Sequence, residues 1–142
     1  MKTSQAGLDF IQDVEGCKLF AYLDTGGVWT IGVGHTGPEV VKGLVCTFEQ
    51  AMKWLAEDVR EAEDAITRKV KVPLNQAQFD ALVSFVFNIG VGQFSASTLL
   101  RKLNLKDYVG AGNEFPRWNK DNGKVIPGLT KRRLLEQSRF GA

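Results

Sequence analysis

Glycines constrain the segment from Lys18 to Cys46 more than any other feature constrains the chain. Within this segment no stretch of ten residues lacks a glycine, so a helix of ordinary length cannot form there. The residues between the glycines favour β-strands: Phe20, Tyr22, Val28, Trp29, Ile31 and Val33. The sequence therefore predicts a small antiparallel sheet, with Asp24-Thr25-Gly26-Gly27 as the turn between its first two strands.

Helical periodicity is typical of the rest of the chain. A first helix is predicted from about Ser4 to Val14, and Gly16 should end it and leave Glu15 at its end. Thr47 and Gln50 match a capping box, which predicts a long helix running to about Lys69. Further helices are predicted from Asn75 to Gly90 and at Ser97–Leu103, Lys106–Phe115 and Thr130–Phe140. This order of elements indicates an α+β fold that is mainly α.

Length and charge limit the functional classes. A chain of 142 residues is about one domain, and its net charge of +2 is too small to predict nucleic-acid binding. The segment from Arg117 to Ala142 is more basic, with seven basic and two acidic residues. Such a segment favours binding to an anionic polymer or a membrane surface, and the alternative is that it is only a solvated helix face. No stretch approaches 18 apolar residues and no secretory signal is present, so we expect synthesis in a reducing cytoplasm and free, buried thiols at Cys17 and Cys46.

Three side chains near the predicted turn could form one wall of a cleft. Glu15 ends a helix, Asp24 lies in the turn, and Thr30 lies on the returning strand. Hydrolysis of a glycosidic bond needs one carboxyl group that holds a proton and a second that is ionised. Glu15, between an apolar helix and aromatic strands, is the better candidate for the acid, and Asp24 should stay charged. Each residue alone has an ordinary structural explanation, so spacing by itself does not establish a function.

The segment EGCKLFAYLDTGGVWTIGVGH resembles the active-site signature of the phage-type lysozymes. This endolysin family, glycoside hydrolase family 24, includes the T-even phage enzyme. Its pattern is Glu, eight residues, Asp or Cys, five residues, Thr, which Glu15, Asp24 and Thr30 match. The similarity continues through Thr47–Asp58, Phe79–Gly90, Ser97–Leu103 and Gly128–Arg133. It departs most at Phe115–Val125, so the resemblance implies no particular glycan contacts there.

The resemblance implies a lysozyme-like fold in one domain of residues 1–142. It would comprise a small sheet lobe with the active site (about 15–46), a connecting helix (about 47–70) and a helical lobe (about 71–142). It also implies a monomeric muramidase with neither cofactor nor metal, which binds peptidoglycan glycan strands but neither nucleic acid nor, by stable insertion, a membrane. From the host cytoplasm it would reach the periplasmic cell wall through a holin-type lesion and lyse the cell for phage release.

By the same resemblance Glu15 is the general acid, Asp24 activates or positions water, and Thr30 helps to hold that water. The bond cut would be the β-1,4 link between N-acetylmuramic acid and N-acetylglucosamine, with inversion. Inversion requires the two carboxyl groups to lie roughly 6.5–9.5 Å apart. A structural ion pair between His35 and Asp58 is also expected.

Weaker expectations concern the later part of the chain. Either Arg132 or Arg133 is expected to approach Glu15, and the sequence does not decide between them. Phe87, Asn88 and Gly90 are candidates to line the cleft, although core packing is the simpler role for Phe87.

Other functions stay open on the residues alone. A zinc amidase or endopeptidase would need about three metal ligands, for which Cys17, His35 and Cys46 are the available set, and a cysteine–histidine amidase would use Cys17. The basic C-terminal helix could act on membranes without catalysis. A related hydrolase could use the same two carboxylates on chitin or chitosan.

Overall fold

The structure is a computed structural model that describes all 142 residues. The chain divides into two compact units, one of Leu8–Arg60 and one of Met1–Gly7 together with Glu61–Ala142. Helices predominate and the sheets are small, which confirms the predicted fold class. The predicted division into lobes at residues 15–46 and 71–142 stays a prediction.

The unit of Leu8–Arg60 contains the glycine-rich sheet. Helix α1 (Gln5–Glu15) leads into strands β1 (Lys18–Leu23) and β2 (Trp29–Gly32), and helix α2 (Phe48–Asp58) follows. The two strands are antiparallel, with an irregularity between Lys18 and Tyr22, as the sequence predicts for this segment. Gly32 is required where β2 meets α2, because its φ is +66° and an added Cβ would lie 3.1 Å from the Cβ of Ala51.

The helix that was expected from Thr47 to about Lys69 is divided at Val59. Helix α2 ends at Asp58 and helix α3 (Arg60–Lys69) begins two residues later, with Val59 alone between them. Val59 still donates its N–H to the Leu55 carbonyl, but its ψ of −7° departs from the helical value and interrupts the ladder. Thr47 caps α2 by accepting the Gln50 N–H.

The other unit is built around helix α4 (Gln76–Ile89). Asn75 caps it through a complete capping box, and every residue from Phe79 to Val86 is buried. Gly90, with a φ of +93°, ends it. The remaining elements are helices α5 (Val91–Ser95), α6 (Thr98–Asn104) and α7 (Tyr108–Gly112), a 3₁₀ turn (Phe115–Arg117), strands β3 (Lys120–Asp121) and β4 (Lys124–Val125), and helix α8 (Pro127–Phe140).

Three of these elements differ from the expectations. The helix predicted over Lys106–Phe115 is only the short α7 followed by a 3₁₀ turn, because Gly110, Gly112 and Pro116 weaken a longer one. Helix α8 begins at Pro127, three residues before the expected start, with proline in the first turn where its missing N–H costs nothing. The hairpin of β3 and β4 was not predicted.

A buried charge cluster joins α4 to α8. Glu136 is fully buried and forms ion pairs with Arg133 at 2.9 Å and Arg132 at 3.2 Å. Its Oε2 also accepts the Ser84 hydroxyl, and Arg132 donates to the Ser84 carbonyl at 3.0 Å. Arg133 donates to Asn88 Oδ1 at 2.8 Å. Since breaking such a cluster would leave charge buried without compensation, it fixes α8 against α4.

Candidate active site

Glu15 is the last residue of helix α1, as the sequence predicts. The Gly16 N–H bonds to the Gln12 carbonyl at 2.8 Å, and the φ of +81° at Gly16 then turns the chain toward β1. The Glu15 residue is exposed, which corrects the expectation that it lies in apolar surroundings.

Asp24 lies in the turn between β1 and β2 and uses one carboxylate oxygen to hold that turn. Asp24 Oδ1 accepts the N–H groups of Gly26 at 2.8 Å and Val28 at 2.9 Å. Two backbone hydrogen bonds also hold the turn. The Asp24 N–H donates to the Val28 carbonyl, and the Gly27 N–H donates to the Asp24 carbonyl, each at 3.0 Å. The residue is exposed, and both turn bonds made by its side chain use Oδ1.

Thr30 is buried on the returning strand and directly opposite Tyr22 in the register. The Thr30 hydroxyl donates to the Val28 carbonyl at 2.9 Å. Because that bond uses its single hydrogen, the hydroxyl oxygen can serve a further partner only as an acceptor.

Tyr22 is the residue that relates the three predicted site residues to one another. Burial raises the pKa of the Tyr22 phenol, and the negative charges of Asp24 and Glu15 raise it further. The phenol thus lies within electrostatic reach of both carboxylates, while Lys18 Nζ lies 4.9 Å from the centroid of its ring. Tyr22 was not predicted as a site residue; the signal that could have indicated it is its position near the end of β1, two residues before Asp24.

His35 forms the predicted contact with Asp58 and a second one that was not predicted. Its Nδ1 lies 2.8 Å from Asp58 Oδ2, and its Nε2 lies 2.7 Å from Glu39 Oε1. The ring stacks on Trp54 with centroids 4.6 Å apart. Burial lowers the His35 pKa, but the hydrogen bonds and charges of Asp58 and Glu39 raise it more, so the net shift is upward. The imidazole is therefore fully engaged in structural contacts.

The other candidate residues lie in the unit that contains α4. Asn88 lines an open cavity of about 540 Å³ together with Trp118, Lys120 and Asp121, whereas Phe87 and Gly90 are not among its lining residues. The approach of Arg132 or Arg133 to Glu15 stays a prediction.

No group of three or more His, Cys, Asp or Glu side chains has an arrangement that could hold a metal ion. The zinc site that the sequence left open at Cys17, His35 and Cys46 therefore does not form. Both thiols are free and half-buried rather than fully buried as expected. No helix has both the length and the apolar character needed to cross a bilayer.

Comparison with known proteins relates this arrangement to a family. The model of the phage lysozyme family matches residues 12–136, which include Glu15, Asp24 and Thr30. The endolysin of Salmonella phage P22 is 45% identical over 99% of this chain and 98% of its own length. The endolysin of Bacillus phage B103 is also 45% identical over 99% of this chain.

The lengths of the relatives differ. This chain spans about half the length of the endolysins of Bacillus phages B103 and PZA, at 54% and 56%. A crystal structure of a P22 lysozyme mutant superimposes with a TM-score of 0.94 at 43% identity, covering 100% of this chain and 99% of that one. Both the family model and the relatives cover most of the sequence, and the chain belongs to the phage lysozyme family.

Proposed function

We propose that the chain is an endolysin with muramidase activity, a glycoside hydrolase of family 24 like the T-even phage enzyme. Its substrate is the glycan strand of bacterial peptidoglycan, and it hydrolyses the β-1,4 bond between N-acetylmuramic acid and N-acetylglucosamine. The observation that carries the proposal is the placement of the three side chains around one hairpin. Glu15 ends the helix that precedes β1, Asp24 holds the turn between β1 and β2, and Thr30 lies on β2 directly opposite Tyr22.

Glu15 is the general acid in this proposal. Its proton passes to the glycosidic oxygen as the bond between that oxygen and C1 of the muramic acid breaks, so the N-acetylglucosamine leaves as an alcohol. The position of Glu15 at the exposed end of α1 supports this role, because a group that protonates a long polymer must lie where that polymer can approach.

Asp24 and Thr30 position the attacking water. Asp24 Oδ1 is committed to the turn, so Oδ2 accepts the proton that the water loses as its oxygen bonds to C1. Thr30 accepts the water's other hydrogen, since its own hydrogen is donated to the Val28 carbonyl. Attack by water on the face opposite the leaving group inverts the configuration at C1.

The enzyme acts at the cell wall during lysis and, in this proposal, reaches the wall through a holin-type lesion. The names of the relatives support a role in phage lysis, since they include endolysins and, for Escherichia phage Mu, a SAR-endolysin.

The cavity beside Asn88 and Trp118 has the mixture of amide, charged and aromatic groups that suits an N-acetyl sugar.

The test compares the wild type with Glu15→Gln and with Asp13→Asn, a matched control two residues earlier in the same helix. Clearing of outer-membrane-permeabilised Gram-negative cells is followed by turbidity, and soluble products are identified by mass. We expect Glu15→Gln to lose about 10²–10⁴-fold in rate while Asp13→Asn stays near wild type. New reducing ends should be at muramic acid.

Two results would overturn the proposal. Equal lysis by the wild type and Glu15→Gln would show that Glu15 is not the acid and would favour a membrane-active role for the basic C-terminal segment. Products with intact glycan and cut peptides would indicate an amidase or endopeptidase.

A further inference from the structure

The two cysteines lie on neighbouring segments of the Leu8–Arg60 unit. Cys17 follows Gly16 and precedes β1, and Cys46 precedes Thr47, the N-cap of α2. They are the only cysteines in the chain, and both are half-buried free thiols. Neither has a part in the proposed hydrolysis.

Backbone pairing brings together the two segments that carry these residues. Phe20 forms an antiparallel bridge with Val45, and the Cys46 N–H donates to the Leu19 carbonyl at 2.9 Å. Cys46 therefore lies opposite Leu19. Cys17 lies two residues before Leu19 and directly before β1, so continuing the strand by one residue makes it a diagonal neighbour of Cys46.

The distance between diagonal neighbours is close to what a disulfide spans. Diagonal pairs have Cα atoms about 7–8 Å apart, and a disulfide needs Cα atoms within about 4.4–6.8 Å. Closing this gap requires a shift of roughly one ångström. Cys17 lies outside the regular strand and directly follows Gly16, a residue whose backbone is the most permissive, so the chain can make such a shift.

The electrostatics agree with this placement. Burial raises the pKa of the Cys17 thiol, and the charge of a Cys46 thiolate raises it further, which puts the two sulfurs within electrostatic reach of each other. Burial also raises the pKa of Cys46. Thiols with raised pKa values are poor leaving groups, so a bond between them, once formed, would be reduced slowly.

We propose that Cys17 and Cys46 form an intramolecular disulfide when the chain meets a disulfide-type oxidant. One thiolate attacks a sulfur of the oxidant's disulfide to give a mixed disulfide, and the other thiolate then attacks the protein sulfur and releases the reduced oxidant. The two cysteines lose two protons and two electrons, and the oxidant's disulfide is reduced to two thiols. The bond ties the segment just after Glu15 to the start of α2.

This inference does not depend on the proposed hydrolysis. Only the place where the bond would form, an oxidising compartment such as the periplasm, rests on the proposed function. The readout below is chemical, so its failure is distinguishable from a failure of the muramidase proposal.

The experiment equilibrates the purified full chain with reduced and oxidised glutathione over a range of ratios. The mixture is quenched with acid, and intact mass and peptide mapping identify the species formed. We expect the wild type to lose two hydrogen atoms, with Cys17 and Cys46 in one cross-linked peptide at low protein concentration. Cys17→Ser and Cys46→Ser should instead form glutathione adducts.

A parallel equilibration in denaturant tests whether the fold brings the thiols together. We expect the folded chain to reach half oxidation at a ratio of oxidised to reduced glutathione at least about tenfold lower than the unfolded chain requires. Half oxidation at an equal or higher ratio would overturn the proposal, because the fold would then not favour the bond. Glutathione adducts, intermolecular dimers or unreacted thiols as the main folded species would overturn it as well.

Discussion

Two substitutions of Asp24 should separate its structural role from its chemical role. Asp24→Asn keeps an oxygen that can accept the N–H groups of Gly26 and Val28, whereas Asp24→Ala removes both hydrogen bonds. Asp24→Asn also removes the negative charge that would take a proton from water. The asparagine amide should orient its oxygen toward the two donors, because its NH₂ group would be repelled by them.

The expected magnitudes follow from the number and exposure of these bonds. Each is solvent-exposed and contributes at the lower end of the usual range, so their joint loss in Asp24→Ala should cost about 1–2 kcal/mol. That corresponds to a fall in Tm of about 3–8 °C for a domain of this size. Asp24→Asn should stay within about 0.5 kcal/mol of wild type. Both variants should lose about 10²–10⁴-fold in rate if Asp24 acts on the water.

Thermal unfolding by circular dichroism gives the stability of each variant, and release of reducing ends from purified peptidoglycan gives its rate. The reasoning is refuted if Asp24→Asn loses as much stability as Asp24→Ala, because Oδ1 would then not hold the turn. It is refuted equally if Asp24→Asn keeps the wild-type rate.

Three further predictions concern stability. Glu136→Gln should lower the free energy of unfolding, measured in urea, by about 3–5 kcal/mol, because it leaves two buried guanidinium groups uncompensated. The exposed control Glu49→Gln should change it by less than about 0.5 kcal/mol. Similar losses in the two variants would contradict the cluster's role. The His35 pKa is raised on folding, so the stability that protonated His35 contributes is complete below about pH 6.5 and is lost as the pH rises through the folded pKa. His35→Asn should remove that decline, and an unchanged pH dependence of the unfolding free energy would show that the ion pairs contribute nothing. Gly32→Ala should lose about 1–2 kcal/mol of stability because of its positive φ, and more because its new Cβ would lie 3.1 Å from Ala51. Gly27→Ala should show only the loss due to its positive φ. Equal losses of stability in the two variants would exclude the close approach as a cause.

The sequence predicts the hairpin turn and the end of α1 because local chemistry dictates them. Asp24 and the following glycines make a turn whatever surrounds them, and the positive φ at Gly16 ends α1 directly beside Glu15. The buried stretch of α4 is likewise evident from its continuous apolar sequence. These are also the features that position the residues proposed as acid and base, whose roles stay predictions.

The missed features depend on the path of the chain or are too short to show a pattern. Glu39 reaches His35 from an irregular loop, so no periodicity indicates the contact. The hairpin of β3 and β4 has strands of two residues, too short for alternation, although its Asn122-Gly123 turn, with φ values of +50° and +76°, is a strong hairpin signal. The exposure of Glu15 depends on tertiary packing and could not be read from the apolar residues beside it in sequence.

The most direct test of the proposed mechanism is the anomeric configuration of the first product. Proton NMR is recorded during early cleavage of a soluble peptidoglycan fragment, before mutarotation mixes the anomers. Water attack assisted by Asp24, with Glu15 as acid, predicts the α-anomer of the new muramic acid end, and no product from Glu15→Gln. The β-anomer would contradict the account, because it would mean that a covalent intermediate forms and that Asp24 attacks the sugar instead of activating water.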